Sequence, residues 1–254
     1  MSRRLDGTVA LVTGASSGIG EATARMLADE GAAVALVARR RERLEQLAGE
    51  IGAQGGRAVV VEADITHADV AREAVERTVR ELGRLDVLIN NAGVMLLGPI
   101  VDAPVEEWER MVDINLRGLL HTTHAALPHL LRAAEQEPRR VADIVNVSSV
   151  AGRIARSGLG VYNLTKFGVV AFGESLRQEV TRRHVRVSTV EPGAVATELT
   201  DHLRPEIREQ TAQRFANMEL LQSEDIADAI TYVVTRPRRM AVNELLVRPT
   251  EQEP

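Results

Sequence analysis

A tyrosine and a lysine four positions apart form a pair that could move a proton. If the segment is helical, the side chains of Tyr162 and Lys166 lie on one face of it. An ammonium group stabilises a nearby phenolate and lowers the phenol pKa from about 10 toward the range of a working acid or base. Most such pairs, however, are an amphipathic tyrosine and an exposed lysine, so this spacing alone leaves the role open.

A glycine-rich turn near the N-terminus could hold a phosphate. Gly14, Gly18 and Gly20 lie between an apolar run and a helical pattern. Glycine permits a tight turn and lets backbone N–H groups approach a pyrophosphate, whose charge the helix N-terminus favours. A plain turn is the alternative, but the position between the first predicted strand and the first predicted helix favours dinucleotide binding.

The residues after the second predicted strand bear on which dinucleotide would bind. An acid at this place usually binds the ribose 2′-hydroxyl of NAD, whereas the 2′-phosphate of NADP needs a cation. The chain has Arg39 and Arg40 here and no acid. Since a guanidinium fork matches phosphate geometry, we predict NADP(H), with Arg39 as the main contact and Arg40, Ser16 and Ser17 assisting. A solvated helix start is the alternative for the arginines.

Short apolar runs alternate with longer helical patterns along the chain. Continuously apolar, β-branched segments predict interior parallel strands, with helices on both faces of the sheet and ligands beyond the carboxyl ends of the strands. The predicted fold is a doubly wound α/β Rossmann fold with a seven-stranded parallel sheet, and 1–254 is predicted to be one domain. The predicted strands are Thr8–Thr13, Ala33–Ala38, Ala58–Glu62, Val87–Asn90, Asp143–Val147, Arg186–Val190 and Glu244–Val247, and the predicted helices are 19–30, 41–53, 67–82, 104–133, 161–182 and 223–235.

The composition argues against several classes of protein and site. A net charge of −5 disfavours a nucleic-acid or membrane-surface partner, and the absence of cysteine excludes disulfides, thiolate metal sites and a cysteine nucleophile. His121 and His124 lie one turn apart but lack carboxylate support, so no metal is predicted. No apolar run approaches the roughly 20 residues of a membrane helix. No signal-peptide pattern precedes the first strand, and a cytoplasmic location is expected.

Taken together, these motifs resemble the short-chain dehydrogenase/reductase family. Residues 13–20 read T-G-x-x-x-G-x-G, Asn90–Gly93 reads N-N-A-G, and Tyr162 with Lys166 gives Y-x-x-x-K. The resemblance extends from Leu5 to about Arg248. It implies an enzyme that interconverts a carbonyl and an alcohol by hydride transfer to or from NADP(H).

The resemblance also implies a catalytic tetrad. Family enzymes place a serine thirteen residues before the tyrosine, which selects Ser149 rather than Ser148. Ser149 and Tyr162 would hydrogen-bond the substrate carbonyl, and Tyr162 would give its proton to the developing alkoxide. Lys166 would hold the nicotinamide ribose, and Asn115, in an N-x-x-G element, would support a water chain. An asparagine that makes local backbone bonds is the alternative for Asn115.

Several cofactor contacts are implied in the same way, each just after a predicted strand. Asp64 would contact the adenine amino group, with a helix cap as its alternative role, while Asn90 would brace the sheet. A P-G-x-x-x-T element at 192–197 would hold the nicotinamide amide. The full expected cofactor set is Gly14, Ser16, Ser17, Gly18, Ile19, Gly20, Arg39, Arg40, Asp64, Ile65, Asn91, Ala92, Gly93, Tyr162, Lys166, Pro192, Gly193, Val195 and Thr197.

The expected substrate class comes from a resemblance to particular members of the family. Segments 95–99, 125–132, 165–180 and 247–250 resemble the clavulanic acid dehydrogenases and the related YdfG-type hydroxy-acid dehydrogenases. An aldehyde on a specialised-metabolite scaffold is therefore the first expectation, and a 3-hydroxy acid is the second. The apolar pocket candidates suit a hydrophobic substrate body; they are Val94, Met95, Leu96 and Val195.

The surroundings of the site leave further alternatives. Segment 198–218 is either a mobile lid or a static helix pair. Arg153 and Arg156 are expected to be solvated loop charges rather than ligands of a carboxylate.

The motifs also bear on two other functions, and apolar helix faces bear on the oligomeric state. A sugar epimerase or dehydratase would carry T-G-x-x-G-x-x-G, and a non-catalytic NADP-sensing regulator typically loses the tyrosine or the lysine, so a short-chain dehydrogenase/reductase enzyme is favoured. Surplus apolar residues on helices 104–133 and 161–182 predict a homotetramer, with a dimer as the second choice.

Overall fold

In the computed structural model, which describes residues 3–253, seven strands form one parallel sheet. In chain order they are β1 (Val9–Thr13), β2 (Ala33–Ala38), β3 (Arg57–Glu62), β4 (Val87–Asn90), β5 (Ala142–Val147), β6 (Val185–Pro192) and β7 (Glu244–Val247). Their order across the sheet is β3-β2-β1-β4-β5-β6-β7, and every neighbouring pair is parallel. The predicted Rossmann fold with seven parallel strands is confirmed. The strand order reverses direction at β1, which opens a crevice beside β4 where ligands of such sheets bind.

Helices cover both faces of the sheet. They are α1 (Gly18–Asp29), α2 (Arg41–Ala53), α3 (Ala68–Leu82), α4 (Val105–Val112), α5 (Leu119–Ala133), α6 (Gly160–Val180), α7 (Pro205–Phe215) and α8 (Ser223–Val234). Apolar residues of α1, α2 and α8 form one core on one face, and those of α3, α5 and α6 form a second core on the other. The sheet is thus buried on both sides, as its continuously apolar strands require.

Helix ends largely follow the sequence signals. Gly31 follows α1 with φ +99° and Gly83 ends α3 with φ +91°, both in the left-handed region that glycine adopts without strain. Gln222 and Asp225 form a capping box at the start of α8. Within residues 3–253, no helix combines the length and apolar character needed to cross a membrane.

The predicted helix 104–133 is wrong in one respect, because it is not continuous. A π-helical turn, Asp113–Gly118, separates α4 from α5. A π turn inserts one residue into the helical register and is common at functional sites. At its end, Gly118 lies against Ile65, where a Cβ would come within 2.9 Å of the Ile65 side chain. The whole stretch was read from the sequence as one helical pattern, and this inserted residue was not predicted.

Candidate active site

A cavity of about 810 Å³ lies at the carboxyl ends of the strands. Its lining includes nearly all of the predicted cofactor residues and three of the four predicted catalytic residues, Ser149, Tyr162 and Lys166. Two predicted residues lie behind the lining: Gly20 packs under the glycine-rich turn, and Asn115 is buried beneath Gly93. Predicted residues as far apart in the chain as Gly14 and Thr197 therefore meet in one cavity.

The glycine-rich turn has a backbone that other residues would strain. Gly14 and Gly18 adopt φ +67° and +57°, and a Cβ on Gly20 would lie 2.4 Å from the carbonyl oxygen of Gly14. The turn then passes directly into α1, so the helix N-terminus faces the cavity. Close backbone approach and a helix N-terminus together fit the binding of a pyrophosphate.

Thr13 holds the segment after β4 over this turn, and the sequence reasoning missed it. Its hydroxyl donates to the carbonyl of Ile89 at 3.1 Å and accepts from the backbone N–H groups of Asn91 and Ala92 at 3.0 and 3.1 Å. The Asn91 side-chain amide donates back to the Thr13 carbonyl at 3.0 Å. The position of Thr13 at the end of β1, next to the carboxyl end of β4, is the signal that could have found it.

Asn90 braces the sheet, as the resemblance implied. Its amide donates to Thr123 and to Asn146, each at 2.9 Å, and its side-chain oxygen accepts from Thr122 at 2.8 Å. These contacts join β4 to β5 and to α5, so the carboxyl end of β4 is fixed relative to the helix that follows the π turn.

Tyr162 and Lys166 lie in the first turns of α6 and are almost fully buried. Their residues are 5% and 6% exposed. The Lys166 ammonium nitrogen lies 5.7 Å from the centre of the Tyr162 ring and donates to the carbonyl of Val147 at 3.0 Å. Lys166 is also the only lysine in the chain. A single, buried lysine at the carboxyl end of β5 is not the exposed lysine of an ordinary amphipathic helix.

The pKa of Tyr162 moves in the opposite direction to the sequence expectation. Burial raises it to about 12, and the hydrogen bond with the Ser149 side chain opposes that rise. Burial also lowers the pKa of Lys166 to about 8. Removal from water disfavours the charged form of each group, and in the protein alone Lys166 loses its proton before Tyr162 does, so no ammonium group is present to stabilise the phenolate.

Ser149 is positioned by the short turn after β5. Its hydroxyl oxygen accepts from the Ala151 N–H at 3.1 Å and lies 3.5 Å from the carbonyl oxygen of Pro192. The neighbouring Ser148 points into the structure and donates to the Lys166 carbonyl at 3.0 Å. Of the two serines, Ser149 is thus the one that interacts with Tyr162.

Asn115 makes long-range bonds rather than the local ones that were its alternative. Its side-chain oxygen accepts from the Val94 N–H at 2.7 Å, and its amide donates to the Val94 carbonyl at 2.9 Å and to Thr165 at 3.1 Å. A Cβ on Gly93 would lie 3.3 Å from the same side-chain oxygen and 3.7 Å from the Lys166 nitrogen. The π turn therefore places Asn115 directly below Gly93 and next to α6.

The two arginines after β2 have different surroundings. Within the described part of the chain, the Arg39 guanidinium approaches the Asp64 carboxylate at 4.0 Å and makes no hydrogen bond. Arg40, in contrast, donates to the hydroxyls of Ser16 and Ser17 at 3.1 and 2.6 Å and to Glu198 at 2.8 Å. Arg39 thus has more free donors than Arg40.

Asp64 is not the cap of the helix that follows it. Its carboxylate accepts from the backbone and the hydroxyl of Thr66 at 3.1 and 2.7 Å, whereas α3 begins after His67. Although burial opposes it, the Thr66 hydrogen bonds and the charge of Arg39 lower the pKa of Asp64. Asp64 and the buried Ile65 form the side of the cavity below β3.

Segment 198–218 forms the outer side of the cavity. The Thr197 hydroxyl caps a short 3₁₀ turn, Glu198–His202, and α7 follows. Arg204 connects this segment to the opposite rim, since it forms an ion pair with Glu107 at 3.2 Å and lies 3.4 Å from the Leu97 carbonyl oxygen. The segment is helical, as both a lid and a static helix pair would be, and it contacts both rims of the cavity.

The family model for the short chain dehydrogenases matches residues 8–208. The chain belongs to the short-chain dehydrogenase family. It is therefore an oxidoreductase, and the prediction of the family from the glycine-rich and Y-x-x-x-K motifs is confirmed.

Relatives of this short-chain dehydrogenase include proteins from bacteria and fungi. An uncharacterised oxidoreductase of Staphylococcus saprophyticus is 36% identical over 247 residues, which cover 96% of each chain. A glycine betaine reductase of Emericella nidulans is 38% identical over 248 residues, which are 98% of this chain and 19% of that much longer protein. Neither relative tests the resemblance to the clavulanic acid dehydrogenases, which stays a prediction.

Some solved structures of similar proteins contain a nicotinamide dinucleotide or a derivative of one. The closed form of a serine dehydrogenase complexed with NADP+ has a TM-score of 0.89 and 32% identity over 97% of each chain. An alcohol dehydrogenase from Thermococcus sibiricus complexed with 5-hydroxy-NADP has a TM-score of 0.85 and 30% identity, covering 97% of this chain and 98% of that one.

Arg153 is not the solvated loop charge that the sequence suggested for this dehydrogenase. It donates to the buried carboxylate of Glu191 at 2.6 Å and also pairs with Glu244. Burial raises the pKa of Glu191, and the charge of Arg153 opposes that rise. Arg153 therefore fixes the turn after Ser149 to the end of β6 and does not line the cavity.

Asn163, next to Tyr162, is a second residue that the sequence reasoning missed. Its amide donates to the carbonyls of Ala151 and Ile154 at 2.6 and 3.0 Å, and its side-chain oxygen accepts from the Arg156 N–H at 3.2 Å. It thereby attaches the loop after Ser149 to the first turn of α6.

Among residues 3–253, no group of three or more histidine or acidic side chains is arranged to hold a metal ion.

The burial of Lys166 predicts a pH dependence of stability. Because its pKa is about 8 in the folded chain and 10.5 in the unfolded chain, the unfolded chain binds more protons between these values, and the free energy of unfolding rises with pH. From pH 8 to 9.5, where Tyr162 of the unfolded chain, with a pKa of 10.0, is still mostly protonated, we expect an increase of about 1.5 kcal/mol that Lys166→Met lacks. Urea unfolding of both proteins across this range measures it, and equal slopes would contradict the assignment.

Proposed function

We propose that this protein is an NADP(H)-dependent carbonyl reductase that converts a small or specialised-metabolite aldehyde or ketone to an alcohol. The observation that carries the proposal is the shared cavity, in which Ser149, Tyr162 and Lys166 lie opposite the glycine-rich turn and Arg39. The solved relatives that bind NADP-type cofactors support the choice of cofactor. The cellular NADPH pool is kept mostly reduced, which favours reduction as the main direction.

The residues after β1 and β2 fit NADP(H) better than NAD(H). Arg39, Arg40 and the hydroxyls of Ser16 and Ser17 form a donor set suited to a 2′-phosphate, and no acid follows β2 to bind a free 2′-hydroxyl. The turn at 14–20 would hold the pyrophosphate, and the segment 192–197 would hold the nicotinamide amide. When bound, NADPH supplies the hydride, and the protein supplies orientation and proton transfer.

Tyr162 is the proton donor in this proposal. A pKa near 12 keeps the phenol protonated through the neutral range, so it can hydrogen-bond a substrate oxygen together with Ser149 and transfer its proton as charge develops there. Lys166 is buried beside the ring and would bind the nicotinamide ribose. Asn115 lies next to Lys166 behind Gly93, and it would support the water chain that restores the proton.

A 3-hydroxy acid dehydrogenase is the second candidate, and Arg156 favours it. Arg156 is half-buried in the cavity lining. Its backbone N–H is held by Asn163, but its guanidinium makes no hydrogen bond or ion pair with any residue from 3 to 253. Such a cation in the same cavity as Tyr162 is suited to a substrate carboxylate.

A panel of neutral and carboxylate-bearing carbonyl compounds and alcohols, followed at the NADPH absorbance band, tests both candidates. For the first, a neutral aldehyde has the highest kcat/KM, and Arg156→Gln leaves that value within about twofold. For the second, 3-hydroxy acids and their oxo forms have the highest values, and the same substitution lowers them by about 10- to 100-fold. No turnover of any compound would favour the remaining alternative, a non-catalytic NADP-sensing regulator.

The proposal includes a homotetramer in the cytoplasm, with a dimer as the second choice. Large apolar side chains are exposed on the outer faces of α5 and α6. Such faces are usually covered in symmetric assemblies. The residues concerned are Leu120, Leu164 and Phe167.

A further inference from the structure

Glu198 contacts the arginines at the expected 2′-phosphate position from the other side of the cavity. Its two carboxylate oxygens accept from Arg40 at 2.8 Å and from Arg43 at 2.6 Å. Glu198 follows Thr197 of the P-G-x-x-x-T element and begins the 3₁₀ turn on the outer side of the cavity. An acid from the nicotinamide side of the cavity is thus bound to cations on the adenosine side.

These bonds use most of the hydrogen-bonding capacity of Arg40. One edge of its guanidinium donates to Ser16 and Ser17, and Nη1 donates to Glu198. The hydrogen bonds from Arg40 and Arg43 lower the pKa of Glu198 to about 2, so its carboxylate is charged at any physiological pH. The pKa of His202, at the end of the same 3₁₀ turn, is also lowered. Burial is the largest cause, and the positive charges of Arg110, Arg39 and Arg40 add to it, so both ends of the turn are influenced by arginines.

We propose that Glu198 competes with the 2′-phosphate of NADP(H) for Arg40 and thereby sets the preference between NADP(H) and NAD(H). The inference rests on the proposed function only in placing the 2′-phosphate at Arg39 and Arg40. A carboxylate and a phosphate require the same donors, and two anions side by side repel each other. NAD(H) has a neutral hydroxyl at this place and does not compete with Glu198.

The same competition connects cofactor binding to the outer segment. Glu198 attaches the beginning of segment 198–218 to Arg40 and Arg43, while Arg204 attaches it separately to Glu107 on the opposite rim. A 2′-phosphate that takes Arg40 removes one of the two attachments of Glu198, leaves the one to Arg43 at 2.6 Å and does not affect the Arg204 attachment. NADP(H) would therefore loosen one end of the segment, and NAD(H) would not.

The test compares Glu198→Gln with Asp201→Asn in the intact protein. Asp201 lies on the same turn and pairs with Arg208 at 2.7 Å, so its substitution removes the same charge without touching Arg40. Dissociation constants for NADPH and NADH come from fluorescence titration without substrate. We expect Glu198→Gln to tighten NADPH by about 5- to 10-fold at low salt and to change NADH by less than twofold. Asp201→Asn should change neither by more than about twofold.

Unchanged or weaker NADPH binding in Glu198→Gln would overturn the competition and would indicate that Glu198 only orients the arginines. Equal tightening of NADPH in both variants would also overturn it, because the effect would then be one of net charge. If Arg39→Ala weakens NADPH and NADH binding equally, the placement of the 2′-phosphate is wrong and the inference falls with it. Arg39→Ala thus tests the placement, and the Glu198 and Asp201 variants test the competition.

Discussion

Replacing Tyr162 by phenylalanine is expected to lower kcat for carbonyl reduction by about 10³-fold while NADPH binding changes by less than about twofold. The substitution keeps the ring that packs in the core around Met111 and Val94 and removes only the hydroxyl. General acid catalysis contributes about 10²- to 10⁴-fold, and the hydroxyl also orients the substrate oxygen. Single-turnover rates with saturating NADPH, together with a separate fluorescence titration, measure the two quantities.

The chain contains a matched control for this substitution. Tyr232 is the only other tyrosine; it is exposed on α8, where the Arg236 guanidinium lies 4.1 Å from its ring centre. Tyr232→Phe should retain full activity. If Tyr162→Phe keeps most of its kcat, the proton comes from another group and the proposed mechanism fails.

Replacing Arg39 by alanine is expected to weaken NADPH binding by about 10- to 100-fold and NADH binding by less than about threefold. A charge-assisted hydrogen bond contributes about 1.5 to 3 kcal/mol, and only NADPH has a 2′-phosphate to receive it. Arg39 is the better first target than Arg40, because Arg40 already donates to Ser16, Ser17 and Glu198. Competition titrations of both cofactors against each variant measure the effect.

Arg41→Ala is the control for Arg39→Ala. Arg41 is two residues further along, is exposed, pairs with Glu45 at 2.7 Å and does not line the cavity. Its removal changes the net charge by the same amount, so any general electrostatic effect appears in both variants. Equal losses of NADPH and NADH affinity in Arg39→Ala would mean that Arg39 stabilises the cavity wall after β2 and does not bind the 2′-phosphate.

The fold, and which residues line the candidate site, could be predicted because both depend on the order of strands, helices and motifs along the chain. Each motif follows a strand directly, and in a parallel sheet all strands end at one edge, so residues as distant as Gly14 and Pro192 had to converge. Buried ion pairs within the strands were not predicted. Asp143 and Arg186 lie inside β5 and β6, yet they are buried because they bond each other at 2.7 Å.

The sequence by itself determined the doubly wound sheet, the glycine-rich turn, the tyrosine–lysine pair and the arginines after β2, since each is a matter of residue type and spacing. Only the tertiary structure decided how these residues are charged and paired. Burial raises the pKa of Tyr162 although Lys166 is near, and Glu198, 158 positions from Arg40, occupies donors that the sequence assigned to a phosphate. The desolvation of a group and its ion pairs depend on which atoms surround it. Those atoms come from distant parts of the chain and are brought together only in the folded structure.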